Sequence, residues 1–443
     1  MTVKKRNSMN RVAQNAVWII GGRIVQALLA LVINMLTARY LGPSNYGLIT
    51  YASSLVAFVV PIMQLGLSNV LVQEIVNRPD EEGKVLGTSM VMSLVSSFFC
   101  VVGLTAFVFA VSPGETDTVL VCLLYSVLLI FQALEHIQYW YQAKLISKYT
   151  SMIGLGAYVL VSAYKIYLLA TAKPVYWFAF SNALDYALIS FAGIILYRKL
   201  GGQKLQFSWA VGKQMLVRSH HYILSSMMVT VFAQTDKIMI KMMIGEADTG
   251  YYGAAVACAG LLSFVYSAII DSFRPSIFDG LKDSEDAFLY RLTMLYSIII
   301  YLSLAQSVVM TVFAKWIIYL LYGKAYEPAI SALRIVVWYT TFSYIGAVRN
   351  IWILSNEKQK YLWIINLSGA LANIVLNTLL IPSVGIDGAA IASLITQVFT
   401  NVVIGYIIKP IRANNKILVH SLNPKYLCAA LNKLTRHTQK ISS

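Results

Sequence analysis

Charged side chains are scarce in this sequence: Asp, Glu, Lys and Arg together make up 12% of its 443 residues. Soluble domains carry about 25% charged residues, so the composition excludes an ordinary water-soluble chain. Apolar runs of about 20 residues recur from end to end instead, and this is the length that one helix needs to cross a bilayer. The sequence therefore predicts an all-α polytopic membrane protein.

Motifs for metal binding and catalysis are also missing. The four cysteines are scattered and form no CxxC pair, so neither a disulfide framework nor a zinc site is expected. No HExxH, GxSxG or GxxxxGK[ST] occurs, which argues against a metallopeptidase, a serine hydrolase and an ATP-driven transporter. A membrane polymerase or glycosyltransferase is disfavoured because the connections on the outer side are too short for a catalytic domain. We expect no enzyme activity and no cofactor or metal.

Turn-rich and charged breaks divide the apolar sequence into about twelve predicted spans. The basic N-terminus is followed by an apolar segment too long for a cleaved signal, so we interpret it as a retained first helix. The predicted spans are 13–38, 45–72, 86–111, 118–142, 150–172, 175–197, 215–243, 250–273, 289–313, 329–354, 361–382 and 387–409.

The distribution of Lys and Arg predicts the orientation. If the N-terminus is cytoplasmic, 24 of the 35 basic residues lie on the cytoplasmic side, five on the outer side and six within spans. Both termini are therefore predicted to be cytoplasmic. The net charge of +16 then faces anionic lipid headgroups and gives no reason to expect nucleic acid. The basic tail, 410–443, contains "YLCAALNKL", which is either an amphipathic helix on the inner leaflet or a solvated segment.

An internal repeat is indicated by two loops, "LGPSNYG" and "IGEADTG". Their glycines, Gly42 and Gly47, recur 203 positions later as Gly245 and Gly250. Each loop lies between the first and second spans of a predicted six-helix half. Because each half has an even number of helices, the repeat is parallel. The sequence predicts a cytoplasmic N-terminus (1–12), an N-lobe (13–197), a linker (198–214), a C-lobe (215–409) and the tail. We interpret the glycines as turn residues rather than ligands.

Two predicted helices carry polar stripes. An advance of 100° per residue places Asn15, Arg23, Gln26, Asn34 and Thr37 of the first helix within an arc of about 100°. On the seventh helix, a similar arc holds Ser219, Ser226, Thr230, Gln234, Lys237 and Lys241. Lipid cannot satisfy such a stripe, so each is expected to face a water-filled central cavity shared by the two lobes.

Acidic residues within the spans are fewer than basic ones. Glu135, Asp185 and Asp236 lie inside predicted spans, with Asp271 at the end of another, against six embedded Lys and Arg. Lys165 is the candidate partner of Asp185. Asp236 and Glu135 are the candidate sites for a coupling ion, although structural polar contacts are an open alternative for Glu135.

Four stretches resemble polysaccharide flippases of the multidrug/oligosaccharidyl-lipid/polysaccharide exporter superfamily. They are "MLTARYLGPSNYGLITY", "TDKIMIKMMIGEADTGYYGAA", "LYGKAYEPAISALRI" and "ANIVLNTLLIPSVGIDGAAIASLI", and the similarity covers about residues 10–410. The resemblance implies two six-helix lobes around a central cavity in the bacterial cytoplasmic membrane. By motif position, the cationic cavity residues of that family correspond to Arg23, Arg39 and Lys237.

The resemblance also implies a substrate, an undecaprenyl-diphosphate-linked oligosaccharide that moves to the outer leaflet for O-antigen, capsule or exopolysaccharide synthesis. The predicted cavity residues are Arg23, Gln26, Asn34, Arg39, Thr230, Gln234, Lys237 and Lys241. Membrane lipids, polysaccharide polymerase machinery and H⁺ or Na⁺ are the further expected partners. The alternative is a multidrug or cation antiporter of the same superfamily, which an excess of embedded cations disfavours.

Overall fold

The computed structural model describes residues 2–429, with side chains for all of these except 2–24, 27–28 and 281–282. Every regular element in this range is helical. Nine of its helices are long and apolar enough to cross a membrane, or ten if one bent pair is a single span. The prediction of an all-α polytopic membrane protein is confirmed, and the number of twelve spans stays a prediction.

The chain divides into two compact units, Met1–Ile238 and Met239–Ser443, each with its own apolar core. The boundary between them falls within one helix. The predicted lobe limits at 197 and 215, and the cavity shared by the lobes, stay predictions.

The first unit begins with the helix α1 (Thr2–Met63), which is interrupted at Gly42. Its 62 residues would reach about 93 Å if straight, three times the hydrocarbon thickness of about 30 Å. Gly42 has φ 72° and ψ 174°, a backbone conformation that is essentially restricted to glycine, and Pro43 follows it. The chain therefore turns at the predicted connection between the first two spans.

The position predicted for the end of the second span is wrong. The sequence predicted a helix to residue 72, but α1 ends at Met63, and Leu65 and Gly66 both have positive φ. A short 3₁₀ turn (Leu67–Asn69) and α2 (Leu71–Asn77) follow. The segment 64–69 contains Gly66 and Asn69, which are typical of turns, so the sequence held a sign of this break that the predicted span ignored.

Seven further helices, the last of them shared with the second unit, complete the described part of the first unit. They are α3 (Glu82–Val111), α4 (Thr116–Ser126), α5 (Leu128–Leu134), α6 (Gln138–Ala143), α7 (Lys148–Ala170), α8 (Val175–Lys199) and most of α9 (Trp209–Met243). The continuous span predicted over 118–142 is interrupted between α5 and α6 by a 3₁₀ turn, Glu135–Ile137. A 3₁₀ turn within a long helix is typical of a hinge or a strained site.

The segment predicted as an inter-lobe linker packs against the start of α3. The backbone N–H of Gln206 donates to the carbonyl of Gly83 at 3.1 Å, and the N–H of Ser208 donates to Thr88 Oγ1 at 2.9 Å. The side chain of Gln203 accepts from the N–H of Gly83. These bonds fasten the segment along the first unit before α9 begins.

As far as residue 429, the second unit contains the end of α9 and eight further helices. They are α10 (Glu246–Ala259), α11 (Ser263–Asp283), α12 (Glu285–Leu321), α13 (Ala329–Ser355), α14 (Lys360–Val384), α15 (Ile386–Val398), α16 (Ile404–Ile407) and α17 (Arg412–Ser421). The span predicted over 250–273 corresponds to α10 and the first part of α11, which form a pair bent by 42°, so that a single span there stays a prediction. A π-helical turn, Phe399–Val403, interrupts the last predicted span.

The first part of the basic tail is a helix packed on its own unit. In α17, Asn414 accepts a hydrogen bond from the hydroxyl of Tyr296 on α12 at 2.9 Å. Tyr301, also on α12, donates to the carbonyl of Leu422 at 2.6 Å. Residues 412–421 therefore form a packed helix rather than a solvated segment. The predicted stretch "YLCAALNKL" lies partly outside the described residues.

Candidate functional site

Among the described side chains of the predicted stripe on α1, three line two polar pockets of the first unit, and the side chain of Asn15 is not among the described ones. Gln26 lines one pocket and Asn34 lines the other, eight residues or about 12 Å further along the helix. Arg39 is exposed at the end of the same helical segment. The side chain of Arg23 lies outside the described residues, so its place in the stripe stays a prediction.

The first pocket encloses about 420 Å³ and combines Gln26 with Glu135, one of the two predicted ion-coupling residues. Gln138 and Gln142 of α6 and Thr150 of α7 add further polar groups to its wall. The 3₁₀ turn that carries Glu135 brings this carboxyl group next to α7 rather than continuing the regular helix. The pocket supplies oxygen ligands that suit a hydrated cation or a proton.

The second pocket encloses about 180 Å³ within the same unit. Asn34 and Thr37 reach it from α1, Thr50 and Ser53 from the part of α1 after the Gly42 break, and Lys165 from α7. Sequence reasoning singled out Asn34 but not this pocket. The signal that it missed is Asn182 on α8, whose Oδ1 accepts from the ammonium of Lys165 at 3.4 Å.

The expected ion pair between Lys165 and Asp185 does not form in the described part of the chain. The ammonium of Lys165 contacts the amide of Asn182 instead, and Asp185 Oδ1 has no hydrogen-bond donor among the described residues. Asn182 and Asp185 are three positions apart on one helix, so the two acceptors lie on neighbouring positions of the same face. Sequence spacing could not distinguish between them.

The α9 stripe begins within the first unit and centres on Lys237. Its ammonium donates to Gln234 Oε1 at 3.2 Å, so two predicted cavity residues contact each other. The Thr230 hydroxyl donates to the carbonyl of Ser226, one turn earlier. Asp236 is buried with contacts of its own. The stripe thus presents one lysine held by a neighbouring amide.

Lys241, the last predicted member of that stripe, belongs to the second unit. It is buried, and its ammonium lies 3.5 Å from a carboxylate oxygen of Glu246 at the start of α10. This ion pair spans the glycine turn between α9 and α10. The charge of Lys241 therefore already has a partner, and its predicted role in substrate binding stays a prediction.

Two embedded arginines that sequence analysis left without a role have specific partners. Arg218 of α9 forms an ion pair with the buried carboxylate of Glu74, which Arg78 also approaches at 3.3 Å. Arg349 of α13 is buried and donates to the carbonyl of Thr400 inside the π-helical turn. A π turn leaves carbonyls without their usual helical donors, so a buried guanidinium satisfies this one.

Comparison with known proteins gives a family and a fold. A family model described as polysaccharide biosynthesis protein matches residues 12–281, more than half of the chain. No curated protein sequence matches the chain significantly.

Solved structures of transporters share the fold. The lipid II flippase MurJ, in an inward closed conformation, superposes with a TM-score of 0.68 at 15% identity, over 92% of this chain and 91% of that one. An inward-facing multidrug resistance MATE family transporter of the MOP superfamily superposes with a TM-score of 0.66 at 14% identity, over 89% of this chain and 96% of that one. A MOP superfamily transporter from Pyrococcus furiosus, described as having a binding pocket of reverse polarity, superposes with a TM-score of 0.56 at 14% identity, over 92% of this chain and 96% of that one.

Proposed function

Because the chain belongs to the polysaccharide biosynthesis protein family, we propose that it flips undecaprenyl-diphosphate-linked oligosaccharides across the bacterial cytoplasmic membrane. The match over residues 12–281 is the observation that carries this proposal. The transport runs from the inner to the outer leaflet and supplies the assembly of O-antigen, capsule or exopolysaccharide. Both termini are cytoplasmic in this proposal, as the excess of Lys and Arg in the cytoplasmic segments indicates.

The chemistry of the predicted site suits such a substrate. A diphosphate needs fixed cations: arginine contacts phosphate oxygens in pairs, and lysine provides a point charge. Lys237, positioned by Gln234, is the candidate for the point charge, with Arg23 and Arg39 as candidate arginines. The sugar hydroxyls require amides and hydroxyls, which the α1 and α9 stripes supply. The prenyl tail stays in lipid while the two lobes rock to alternate access.

The fold itself is compatible with moving a lipid-linked molecule. One of the structural relatives is a lipid II flippase with a TM-score of 0.68, although identity of 15% carries only the fold. Polysaccharide polymerase machinery is a candidate partner on the outer side. H⁺ or Na⁺ is a candidate coupling ion, with Glu135 and Asp236 as the candidate carboxylates.

A multidrug or cation antiporter is the second candidate function. The observation that favours it is the pocket lined by Glu135, since a carboxylate in a membrane pocket suits a cationic ligand. Lys237 and Lys165 argue against an antiporter of cationic substrates, because both are cations at polar positions of the same unit and would repel such a substrate.

Complementation with a Lys237→Ala variant tests the proposal. In a host that lacks the chromosomal gene, this variant should reach the membrane in normal amount but restore no surface glycan. Lys213→Ala is the matched control, because Lys213 is an exposed lysine of α9 about 120° away from Lys237 around the helix. Normal surface glycan with the Lys237→Ala variant would remove Lys237 from the site.

A further inference from the structure

The smaller pocket of the first unit is built almost entirely from polar side chains, although the helices around it are apolar. Its volume of about 180 Å³ corresponds to about six waters at roughly 30 Å³ each. Pockets for drug-sized molecules enclose about 300–1,000 Å³, so this one has room for a ligand the size of a single sugar ring. Asn34 is exposed at its rim and leaves a route of entry.

Hydrogen bonds within the wall determine what the pocket offers to a ligand. The hydroxyl of Thr50 donates to the carbonyl of Tyr46, so its oxygen is left as an acceptor. The hydroxyl of Ser53 donates to the carbonyl of Thr50 and also bonds to the Tyr125 side chain of α4. The Asn182 amide group donates to the carbonyls of its own helix and turns Oδ1 towards Lys165. A sugar hydroxyl both donates and accepts, so it matches such a wall.

Thr37 is the member of the wall that lacks a partner. It is 7% exposed, and its hydroxyl oxygen has no hydrogen-bond partner among the described residues. Most hydroxyls at such positions in a helix donate to the preceding turn, as Thr50 does. A buried polar group without a partner costs about 1–3 kcal/mol unless something else satisfies it. Thr37 therefore indicates that a ligand or water completes the pocket.

Lys165 gives the pocket its charge. It is the one charged residue among the described side chains that line the pocket, and its only hydrogen bond is the long one to Asn182. An ammonium carries three donors, so at least two remain for a ligand. The carboxylate of Asp185 on α8 interacts electrostatically with Lys165 but lies beyond ion-pair distance, so it compensates the ammonium only in part. A charge within a membrane segment is costly, so an anionic group that enters the pocket would be bound strongly.

We propose that this pocket between α1, α4, α7 and α8 is a subsite for one acidic sugar residue of the transported glycan, whose carboxylate pairs with Lys165. The sugar hydroxyls bond to Thr37, Thr50 and Ser53, and the ring packs against the apolar face of Phe178. This inference rests on the proposed flippase function and adds that the transported repeat unit contains an acidic sugar. In the proposed topology, the pocket lies towards the outer end of the unit, where the glycan is released.

Binding to the purified full-length protein in lipid nanodiscs tests the charge. The probes are D-glucuronate and D-glucose, which share the sugar ring but differ in the carboxylate, and NMR saturation transfer gives the affinities. Wild type should bind glucuronate at least about tenfold more tightly than glucose, because a hydrogen bond to a charged group contributes about that factor. Lys165→Met should remove this preference. Lys173→Met, eight residues further on and outside the pocket, should keep it.

Equal binding of the two sugars by wild type would overturn the proposal, as would a preference that survives Lys165→Met. Thr37→Val is the second variant, because it keeps the shape and removes only the unpartnered hydroxyl. The Thr37→Val variant should bind both sugars more weakly, by similar factors, while its melting temperature stays within a few degrees of wild type. Unchanged affinity of this variant for both sugars would show that the Thr37 hydroxyl contacts water alone. The proposal that the pocket binds a sugar would then be wrong.

Acetate and inorganic phosphate identify a non-sugar anion. If either anion binds as tightly as glucuronate, the pocket is a site for small anions, and the proposal of an acidic sugar is wrong. The binding assays involve no transport, so the two proposals can fail separately. A missing glucuronate preference with lost surface glycan in a gene deletion contradicts the subsite alone. A preference that depends on Lys165, together with normal glycan in the deletion, contradicts the flippase function instead.

Discussion

The carboxylate of Glu74 pairs with Arg218, a residue 144 positions later in the sequence. Glu74 belongs to the short helix α2, and Arg218 to the first third of α9. Gln214, one turn before Arg218, accepts from Arg78 at 2.8 Å, so the two helices share a small polar cluster. The cluster attaches the beginning of α9 to the first unit and gives an embedded arginine a structural role.

Arg218→Met should lower the stability of the first unit. Glu74 is almost fully buried, but Arg218 is half-exposed and Arg78 remains, so the loss should be about 1–2 kcal/mol rather than the 3–5 typical of a fully buried pair. Thermal unfolding of the detergent-purified protein measures it. Lys213→Met, an exposed position on the same helix, is the control. Equal melting curves for the two variants would show that the pair contributes nothing.

Arg349→Met should destabilise the second unit more strongly. The guanidinium of Arg349 satisfies the carbonyl of Thr400 in the π turn, and loss of a buried hydrogen bond to a charged group costs about 1.5–3 kcal/mol. Arg334→Met, at an exposed position of the same helix α13, should leave the unfolding temperature unchanged. If the Arg349 and Arg334 variants unfold at the same temperature, the π turn does not depend on the side chain of Arg349.

Gly42→Ala and Gly245→Ala should each cost about 1–3 kcal/mol, because both glycines combine positive φ with extended ψ. Gly103→Ala is the control, since Gly103 lies in a regular helix and an added methyl group would also meet open space. We expect that variant to be neutral or slightly stabilising. A normal melting temperature in both turn variants would show that these loops tolerate other conformations.

These glycines also illustrate what the sequence could predict. Their spacing of 203 residues indicated matching loops, and both have positive φ with ψ near 180°, as a turn role requires. Long apolar runs likewise predicted the helical membrane fold. The breaks after Met63 and at Glu135 contain polar or turn-forming residues, such as Gly66 and Asn69 in the first, but such residues also occur within the continuous helices, so they did not predict where a helix ends. Those breaks depend on packing between distant helices.

The candidate site could be predicted only in part. Helical periodicity placed Gln234 and Lys237 on one face, and their side chains do contact each other. The pair of Lys165 with Asp185 was predicted because the two residues lie on neighbouring helices, whereas the ammonium contacts Asn182. Periodicity gives the face of a helix but not the rotamer or the height of the neighbouring helix. These decide which of two nearby acceptors a lysine reaches.

Exchanging the two kinds of cation tests how the proposed diphosphate is bound. Arg23→Lys should impair export more than Lys237→Arg, because lysine cannot reproduce the paired contacts of a guanidinium with phosphate. Surface glycan in complemented cells, normalised to the amount of protein in the membrane, is the measurement. Equal export by both variants would reduce Arg23 to a general positive charge.

Deletion of the gene in its native host tests the flippase function most directly. Extraction of lipid-linked oligosaccharides and surface polysaccharide from the same cells gives the result. We expect undecaprenyl-diphosphate-linked repeat units to accumulate while surface glycan disappears, and the accumulated glycan would identify the substrate. Normal surface glycan in cells that have become sensitive to cationic drugs would contradict the flippase and establish the antiporter.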